Sequence, residues 1–313
     1  MRLGLDIGGT KIDAVVLDAG GGVRTQVRVP TGMGPEAVVA SAEQAVREVV
    51  ARDDTPLQEV TSIGVGIPGM VDPQGGRVRH AVNLGVTDLA LAESLAERVG
   101  APVRLENDVK AAALGAYSLL GLTGTAALLN LGTGVAAGIV IDGRLWRGPG
   151  GGAGEVGHIP VDPAGVRCGC GQRGCIETLA SGSAVARMWP SKAPLPAFEL
   201  FDAADAGDQD ALKVRRTVAS GAASAVRVLA LTVDVQTVVI GGGLSNLGDR
   251  LLAQVKKVLA EWGEDSPFLA SLGLPGRVRM LPPHLSAAAV GAALVGEREQ
   301  APLGRGDVVE PPA

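Results

Sequence analysis

The sequence predicts an α/β protein built from two related lobes, and two features of the chain carry that expectation. Apolar runs with strand character alternate with stretches whose apolar residues recur at helical spacing, the pattern of mixed layers. Within that alternation one strand–turn–strand segment occurs twice: LDIGGTKIDAVVLD and LNLGTGVAAGIVID align without a gap, Asp6 over Asn130 and Asp18 over Asp142, 124 residues apart in both cases. Two unrelated hairpins with similar glycine turns would also match in part. A duplication does more, because it gives each lobe a Gly-Thr turn to present to a ligand in a cleft between them.

In chain order, RLGLDIGGT reads as a buried strand ending in a Gly-Gly-Thr turn, and KIDAVVLDAGGGV as the returning strand. EAVVASAEQAVREVVARD has helical spacing, VTSIGVGIPGMVD is a strand and then a turn, and LALAESLAERVG is a helix ending at Gly100. PVRLENDVKAAALGAYSLLG is a strand running into a helix, with Glu106, Asn107 and Asp108 at the junction. VDVQTVVIGGGLSNLGDRLLAQVKKVLAEW reads as a strand, three glycines and a helix that Ser245 or Asn246 caps.

Composition removes several functions. The chain has 313 residues, 46% of them hydrophobic and 19% charged, ordinary for a soluble globular protein. A net charge of −5 and seven aromatic residues offer neither a basic field for phosphate backbones nor stacking platforms, so no nucleic-acid partner is expected. No leader precedes RLGLDIGG, and the apolar runs fall short of the roughly 18 residues a membrane helix needs. A cytoplasmic protein with no membrane partner is expected. Glycine is the outlier, 46 residues clustered in DIGGTK, GIPG, LGTG, GPGGGAG and IGGG.

Gly-Thr turns offer unpaired N–H groups and a hydroxyl, equipment for holding polyphosphate. Neither fits the Walker pattern. Only the first copy carries an acid, Asp6, suited to a hydrated Mg²⁺ that prefers carboxylate oxygen. The three glycines from Gly241 let a flat ring such as adenine lie against bare backbone, or simply turn a strand into a helix.

All three cysteines, Cys168, Cys170 and Cys175, fall within eight residues, and His158 lies ten residues before the first, beyond a Pro160–Pro163 turn. An odd count in a cytoplasmic chain disfavours a disulfide, and three thiolates with one imidazole make a closed tetrahedral zinc site. Such an ion has no open position for water. Its expected work is to clamp the His158 segment to the cysteine loop and so fix Glu155 and Glu177, whose alternative reading is as plain solvated acids.

Taken in order, LGLDIGGTK, GIPG, LENDVKAAALGAY, LNLGTGVAAGIVIDGRLWRG, GGAGEVGHIPVDP, CGCGQRGCIE and VVIGGGLS resemble the ROK (repressor, ORF, kinase) family, most closely its zinc-containing glucokinase type, over residues 3–296. The resemblance implies a two-lobed actin-like ATPase fold (ribonuclease H-like): a small lobe, 1–112, closed by a last helix at 286–297, a large lobe, 113–285, and a flexible tail, 298–313. It implies that Asp6, Gly8, Gly9, Thr10 and Lys11 face phosphate and Mg²⁺, that Gly132, Thr133 and Gly134 form the second phosphate turn, and that Gly242 and Gly243 flank adenosine. It gives Gly69, Asn107, Asp108, Glu155, His158 and Glu177 to the sugar, with Asn83 nearby, and makes Asp108 the catalytic base. On the residues alone Asp108 is equally the N-cap of a helix starting near Val109, where the helix dipole would lower its pKa, and both roles can hold at once. The chain departs from the family pattern at Lys110, where Asn is usual, and at Ala136-Ala137, where two glycines are, positions that bear on which sugar fits.

The expected activity is ATP-dependent phosphorylation of the 6-hydroxyl of a hexose, glucose first, with N-acetylglucosamine or N-acetylmannosamine as the alternative. A sugar-sensing regulator on the same scaffold would add a DNA-reading segment before the first strand, which begins at Leu3. Zn²⁺ as a structural ion, Mg²⁺ with ATP, and assembly as a homodimer or homotetramer complete the expectations.

Overall fold

The computed structural model describes residues 1–193 and 195–297, so the segment 298–313 lies outside the described residues. The chain opens with β1 (Arg2–Ile7), β2 (Lys11–Leu17), β3 (Val23–Pro30), α1 (Pro35–Arg52) and β4 (Ser62–Ile67). A small antiparallel sheet follows, β5 (Met70–Asp72), β6 (Arg77–Ala81) and β7 (Val86–Leu89), then α2 (Leu91–Val99), β8 (Val103–Asn107) and α3 (Asp108–Leu119). The second half comprises β9 (Thr125–Leu131), β10 (Val135–Ile141), β11 (Arg144–Trp146), α4 (Glu177–Ala180), α5 (Gly182–Met188), α6 (Pro196–Asp205) and α7 (Gln209–Val233). β12 (Thr237–Gly241), α8 (Asp249–Asp265), α9 (Pro267–Ser271), β13 (Val278–Met280) and α10 (Ala287–Glu297) complete it.

The two large sheets have the same plan, β3-β2-β1-β4-β8 and β11-β10-β9-β12-β13. In each, an antiparallel hairpin continues through its first strand into a parallel pair, β1 with β4 and β9 with β12. The correspondence extends to single residues: Asp6 stands beside Gly66 on the parallel neighbour, and Asn130 beside Gly241. The internal repeat is therefore a repeat of architecture.

Each sheet is buried by helices. On α1, Val38, Val39, Ala42, Ala45, Val46, Val49 and Val50 form one apolar stripe against the first sheet, in a core with Leu3, Leu5, Ile63, Val65 and Leu105. α2 ends where expected, Gly100 taking the left-handed conformation (φ 69) that closes a helix cheaply only for glycine. The second core gathers Leu129, Leu131, Ile139, Phe201, Val226 and Ile240 under α7, whose N-terminus Asp208 caps by accepting from the Asp210 and Ala211 N–H groups.

The last helix, α10, lies on β1, β4 and α3 at backbone contact distance. A Cβ on Gly64 would stand 1.7 Å from the Ala292 carbonyl oxygen, so only glycine allows this approach. α3 in turn shares a core with both sheets' neighbours, its Ala113, Leu114 and Ala116 meeting Leu128, Val140, Val239, Ala287 and Val295. Asp108, at its start, is thereby fixed where the two halves meet.

One element differs from the sequence reading. The helix after β12 starts at Asp249, behind a 3₁₀ turn over Gly243–Leu247, and has no side-chain cap. Ser245 and Asn246 instead turn back, Ser245 Oγ donating to the Gly242 carbonyl at 2.7 Å and Asn246 Nδ2 to the Gly243 carbonyl at 3.1 Å. Both side chains close the glycine turn, because the chain needs an extra turn there before the helix can begin.

Candidate functional site

Both Gly-Thr turns are held by backbone bonds. Gly8 N–H donates to the Lys11 carbonyl at 2.9 Å, and Thr31 Oγ1 to the Gly8 carbonyl at 2.8 Å. Gly132 N–H donates to the Gly134 carbonyl at 3.0 Å, while the start of α5 fastens the turn from behind: Gly182 N–H to the Gly132 carbonyl at 2.7 Å and Ser183 Oγ to the Thr133 carbonyl at 2.8 Å.

Two cavities adjoin these turns. One, of about 620 Å³, brings Gly132 and Thr133 together with Gly243, Leu244 and Asn246, and with a wall made by Ser183, Leu195 and Phe198. The other, of about 280 Å³, is lined by Asp6, Asp13, Arg28, Asn130 and Gly242, so the acid of the first copy and the amide of the second face one space. A Cβ on Gly242 would lie 2.6 Å from the Leu131 carbonyl carbon, and its φ is 82. Bare backbone is obligatory there. Sequence reasoning missed the α5–α6 wall and the pair in which Arg28 Nε donates to Asp13 Oδ1 at 2.7 Å. The sequence does give a signal for Asp13, an acid set within the buried apolar run of β2 that follows Lys11. No signal existed for residues 195–198.

Asp6 is strongly perturbed by its surroundings. Burial, reinforced by the negative charges of Asp108 and Asp13, pushes its carboxyl up to about 7, with Lys11 and Arg28 pulling the other way. A group of acids that repel one another when ionised is a place where a cation binds well.

The junction between β8 and α3 corrects one expectation. Asn107 is the cap, its Oδ1 accepting from Val109 N–H at 3.1 Å and Lys110 N–H at 3.2 Å, and Asp108 occupies the first helical position. Asp108 Oδ1 also accepts from Val109 N–H at 2.9 Å. Its pKa is raised rather than lowered, because burial outweighs the N–H groups that favour the anion and the charge of Glu155 adds to the rise. Glu106, two residues before Asp108, is buried and points elsewhere, one oxygen accepting from Asn107 N–H at 3.0 Å and the other paired with Arg147 at 2.6 Å.

Glu155 is exposed at the head of a 3₁₀ turn that ends in His158. Glu177 begins α4, which α7 holds closely: a Cβ on Gly221 would sit 2.7 Å from Leu179 Cβ. One Glu177 oxygen accepts from Val135 N–H at 3.0 Å and the other lies 3.8 Å from Cys168 Sγ, so this side chain joins the second Gly-Thr turn to the cysteine loop. Gly69 (φ 105) is required by backbone geometry, since a Cβ would stand 2.8 Å from the Arg79 carbonyl oxygen. Asn83 packs beside Gly9 of the first turn.

His158, Cys168, Cys170 and Cys175 converge, their donor atoms all within 4.8 Å of one another. His158 Nδ1 is 3.7 Å from Cys168 Sγ, and Cys170 Sγ is 3.7 Å from Cys175 Sγ. Metal–sulfur bonds of about 2.3 Å in a tetrahedron set sulfurs about 3.8 Å apart, so the donor set fits one ion. The backbone already brings the two segments together: Ile176 N–H donates to the Ile159 carbonyl at 3.1 Å, and Pro160 bridges Cys175. The intervening turn closes at Asp162–Gly165 with a 2.9 Å bond, two residues later than the prolines indicated. With Nδ1 turned to the thiols, Nε2 is the imidazole nitrogen left for another partner.

Comparison with known proteins agrees with this arrangement. Residues 2–295 match the model of the ROK family. A glucokinase of Halalkalibacterium halodurans is 34% identical over 283 residues, 82% of this chain and 84% of the relative. An N-acetylmannosamine kinase of Escherichia coli O1:K1 / APEC is 32% identical over 303 residues, 95% of this chain and 98% of the relative. Among solved structures, a ROK family glucokinase from Streptomyces griseus in complex with glucose and AMPPNP superposes with a TM-score of 0.76 at 32% identity, covering 94% of this chain and 98% of that one. Its two-lobed plan is that of the actin-like ATPases, as is the repeated sheet described above. Fold, cleft and sequence agree that the chain belongs to the ROK family of sugar kinases.

Proposed function

We propose that the protein transfers the γ-phosphoryl group of ATP to the 6-hydroxyl of a hexose, with glucose the preferred acceptor. The observation that carries this reading is Asp108, a half-buried carboxylate at the meeting of the two halves that interacts electrostatically with both Glu155 and Asp6. On this reading a base for the acceptor and an acid for a phosphate-bound cation lie close enough to feel each other's charge.

The cavity of Gly132, Thr133, Gly243 and Asn246 takes the nucleoside, and the two Gly-Thr turns, with Gly8, Gly9, Thr10, Lys11 and Gly134, take the phosphates through N–H groups and hydroxyls. Asp6 would hold Mg²⁺, which when bound supplies positive charge to the transferring oxygens. Glu155, Glu177, Asn107 and His158 Nε2 orient the sugar hydroxyls, Gly69 and Asn83 border them, and Asp108 accepts the proton of the attacking hydroxyl. His158, Cys168, Cys170 and Cys175 would hold Zn²⁺, which supplies no step and rigidifies the segments that carry Glu155 and Glu177. Residues 1–112 with α10 form one lobe and 113–285 the other, and their closure excludes water that would hydrolyse ATP. Among the described residues no helix is long and apolar enough to cross a membrane.

A sugar panel in a coupled ADP assay tests this reading. Glucose is expected to give the highest kcat/KM among glucose, mannose, fructose, N-acetylglucosamine and N-acetylmannosamine. N-acetylmannosamine in first place would favour the second reading, which the similarity to the Escherichia coli kinase supports. ADP release with none of them, together with DNA retention on a gel, would refute both.

A further inference from the structure

Lys110 stands in the first turn of α3, two residues after Asp108, and is only 9% exposed. A cation at a helix N-terminus opposes the helix dipole, and a buried ammonium requires partners. Its Nζ donates to the carbonyl of Gly151. Gly151 lies in the middle of the glycine-rich segment 148–154, which leads directly into Glu155. Glycine backbone of this kind is entropically loose, and apart from Pro149 and Ala153 the segment has no side chain with which to pack. Its two ends are held: Arg147 pairs with Glu106 at 2.6 Å, and the Gly154 carbonyl accepts from Ala137 N–H at 2.7 Å. Lys110 supplies an anchor for the middle, and it does so from the same helical turn that presents Asp108.

We propose that Lys110 is a positioning residue for sugar recognition, tying the 148–154 segment to α3 so that Glu155 is held at a fixed place relative to Asp108. Lys110 itself touches no substrate in this scheme. The Asn usual in the family at this position has too short a side chain to span to a carbonyl a lysine reaches, so this chain fixes the segment by its own device. The inference rests on the sugar-kinase reading above.

The test compares Lys110→Met, close in shape but without a donor, with Lys110→Asn and with Lys110→Arg, which keeps a long cationic donor. Lys110→Met and Lys110→Asn are expected to raise the sugar KM about tenfold, the scale of one lost charged hydrogen bond, while the ATP KM stays within about twofold. Lys110→Arg should recover most of the loss. Amide hydrogen exchange should accelerate in peptides covering 147–155 and not in those covering the Gly132–Gly134 turn. Lys110→Asn decides the matter if Lys110→Met does not fold. Sugar KM values within twofold of wild type, or sugar and ATP KM rising together with a fall in Tm, would overturn the proposal. Should the wild-type protein phosphorylate no hexose, the functional reading fails, and the exchange measurement still decides whether Lys110 orders the segment.

Discussion

Replacing Asp6 by Asn should make the metal-free protein more stable at neutral and alkaline pH, and the structure sets the size of the effect. The Asp6 carboxyl has a pKa of about 7 in the fold against an ordinary value of 3.8, because desolvation and the charges of Asp108 and Asp13 disfavour its anion. A folded pKa above the unfolded one means that the native state binds the proton more tightly. That contribution is fully present below about pH 4 and is lost as pH rises to about 7. Between pH 5.5 and 8 the wild type should therefore lose about 2 kcal/mol relative to Asp6→Asn, which has no such proton to release. Denaturant unfolding of both proteins across this range, without Mg²⁺ or nucleotide, measures the difference. Adding Mg²⁺ and ATP should shrink the gap or reverse its sign, since only the carboxylate gains a cation. A stability difference that does not change with pH would refute the argument, because it would mean that Asp6 is ionised in the fold as easily as in water.

Two further outcomes follow from the site. Asp108→Asn keeps the helix start, because Asn107 is the cap, and should melt close to wild type while turnover falls by about 10²–10⁴; more than a tenth of wild-type ADP release would remove Asp108 from the role of base. In the wild type, burial and Glu155 raise the Asp108 pKa, so kcat/KM should rise with pH until that carboxyl is ionised, and a profile already flat at acidic pH would contradict this. Protein purified without chelator should contain about one zinc per chain by elemental analysis, and Cys170→Ser should weaken sugar binding in calorimetry as well as lower Tm; absence of zinc would sink the assignment.

The parts of this molecule legible in its sequence are those where one residue type is forced by local chemistry. Glycine with positive φ pressed against backbone has no substitute, and Gly242 of IGGG is such a residue, while DIGGT and LGTG were legible because the same strand–turn–strand pattern occurs twice. Three cysteines and a histidine at close spacing located a cluster whose donor atoms do converge. What escaped notice depends on distance along the chain: the wall at Leu195 and Phe198 belongs to the start of a helix whose sequence is merely amphipathic, and the Arg28–Asp13 pair joins β2 to a strand, Val23–Pro30, that the sequence pattern did not mark.

The Asp108 junction shows why composition can assign the right neighbourhood and the wrong office. Asn and Asp cap helices about equally well, so LEND leaves two candidates one residue apart. The choice is made by the strand: β8 pairs with β4 as far as Asn107, opposite Ile67, and that pairing keeps Asn107 extended (φ −62, ψ 140) while Asp108 enters the helix. An extended residue with an oxygen three bonds from Cα meets what a cap requires, so the amide takes the N–H groups. The carboxylate is then released from capping as its main task and is left half-buried and largely desolvated beside the charge of Glu155, so its pKa rises. A register fixed by β4 and β8 thus separates the structural role from the chemical one, and the same separation is what makes Asp108→Asn a test of chemistry rather than of folding.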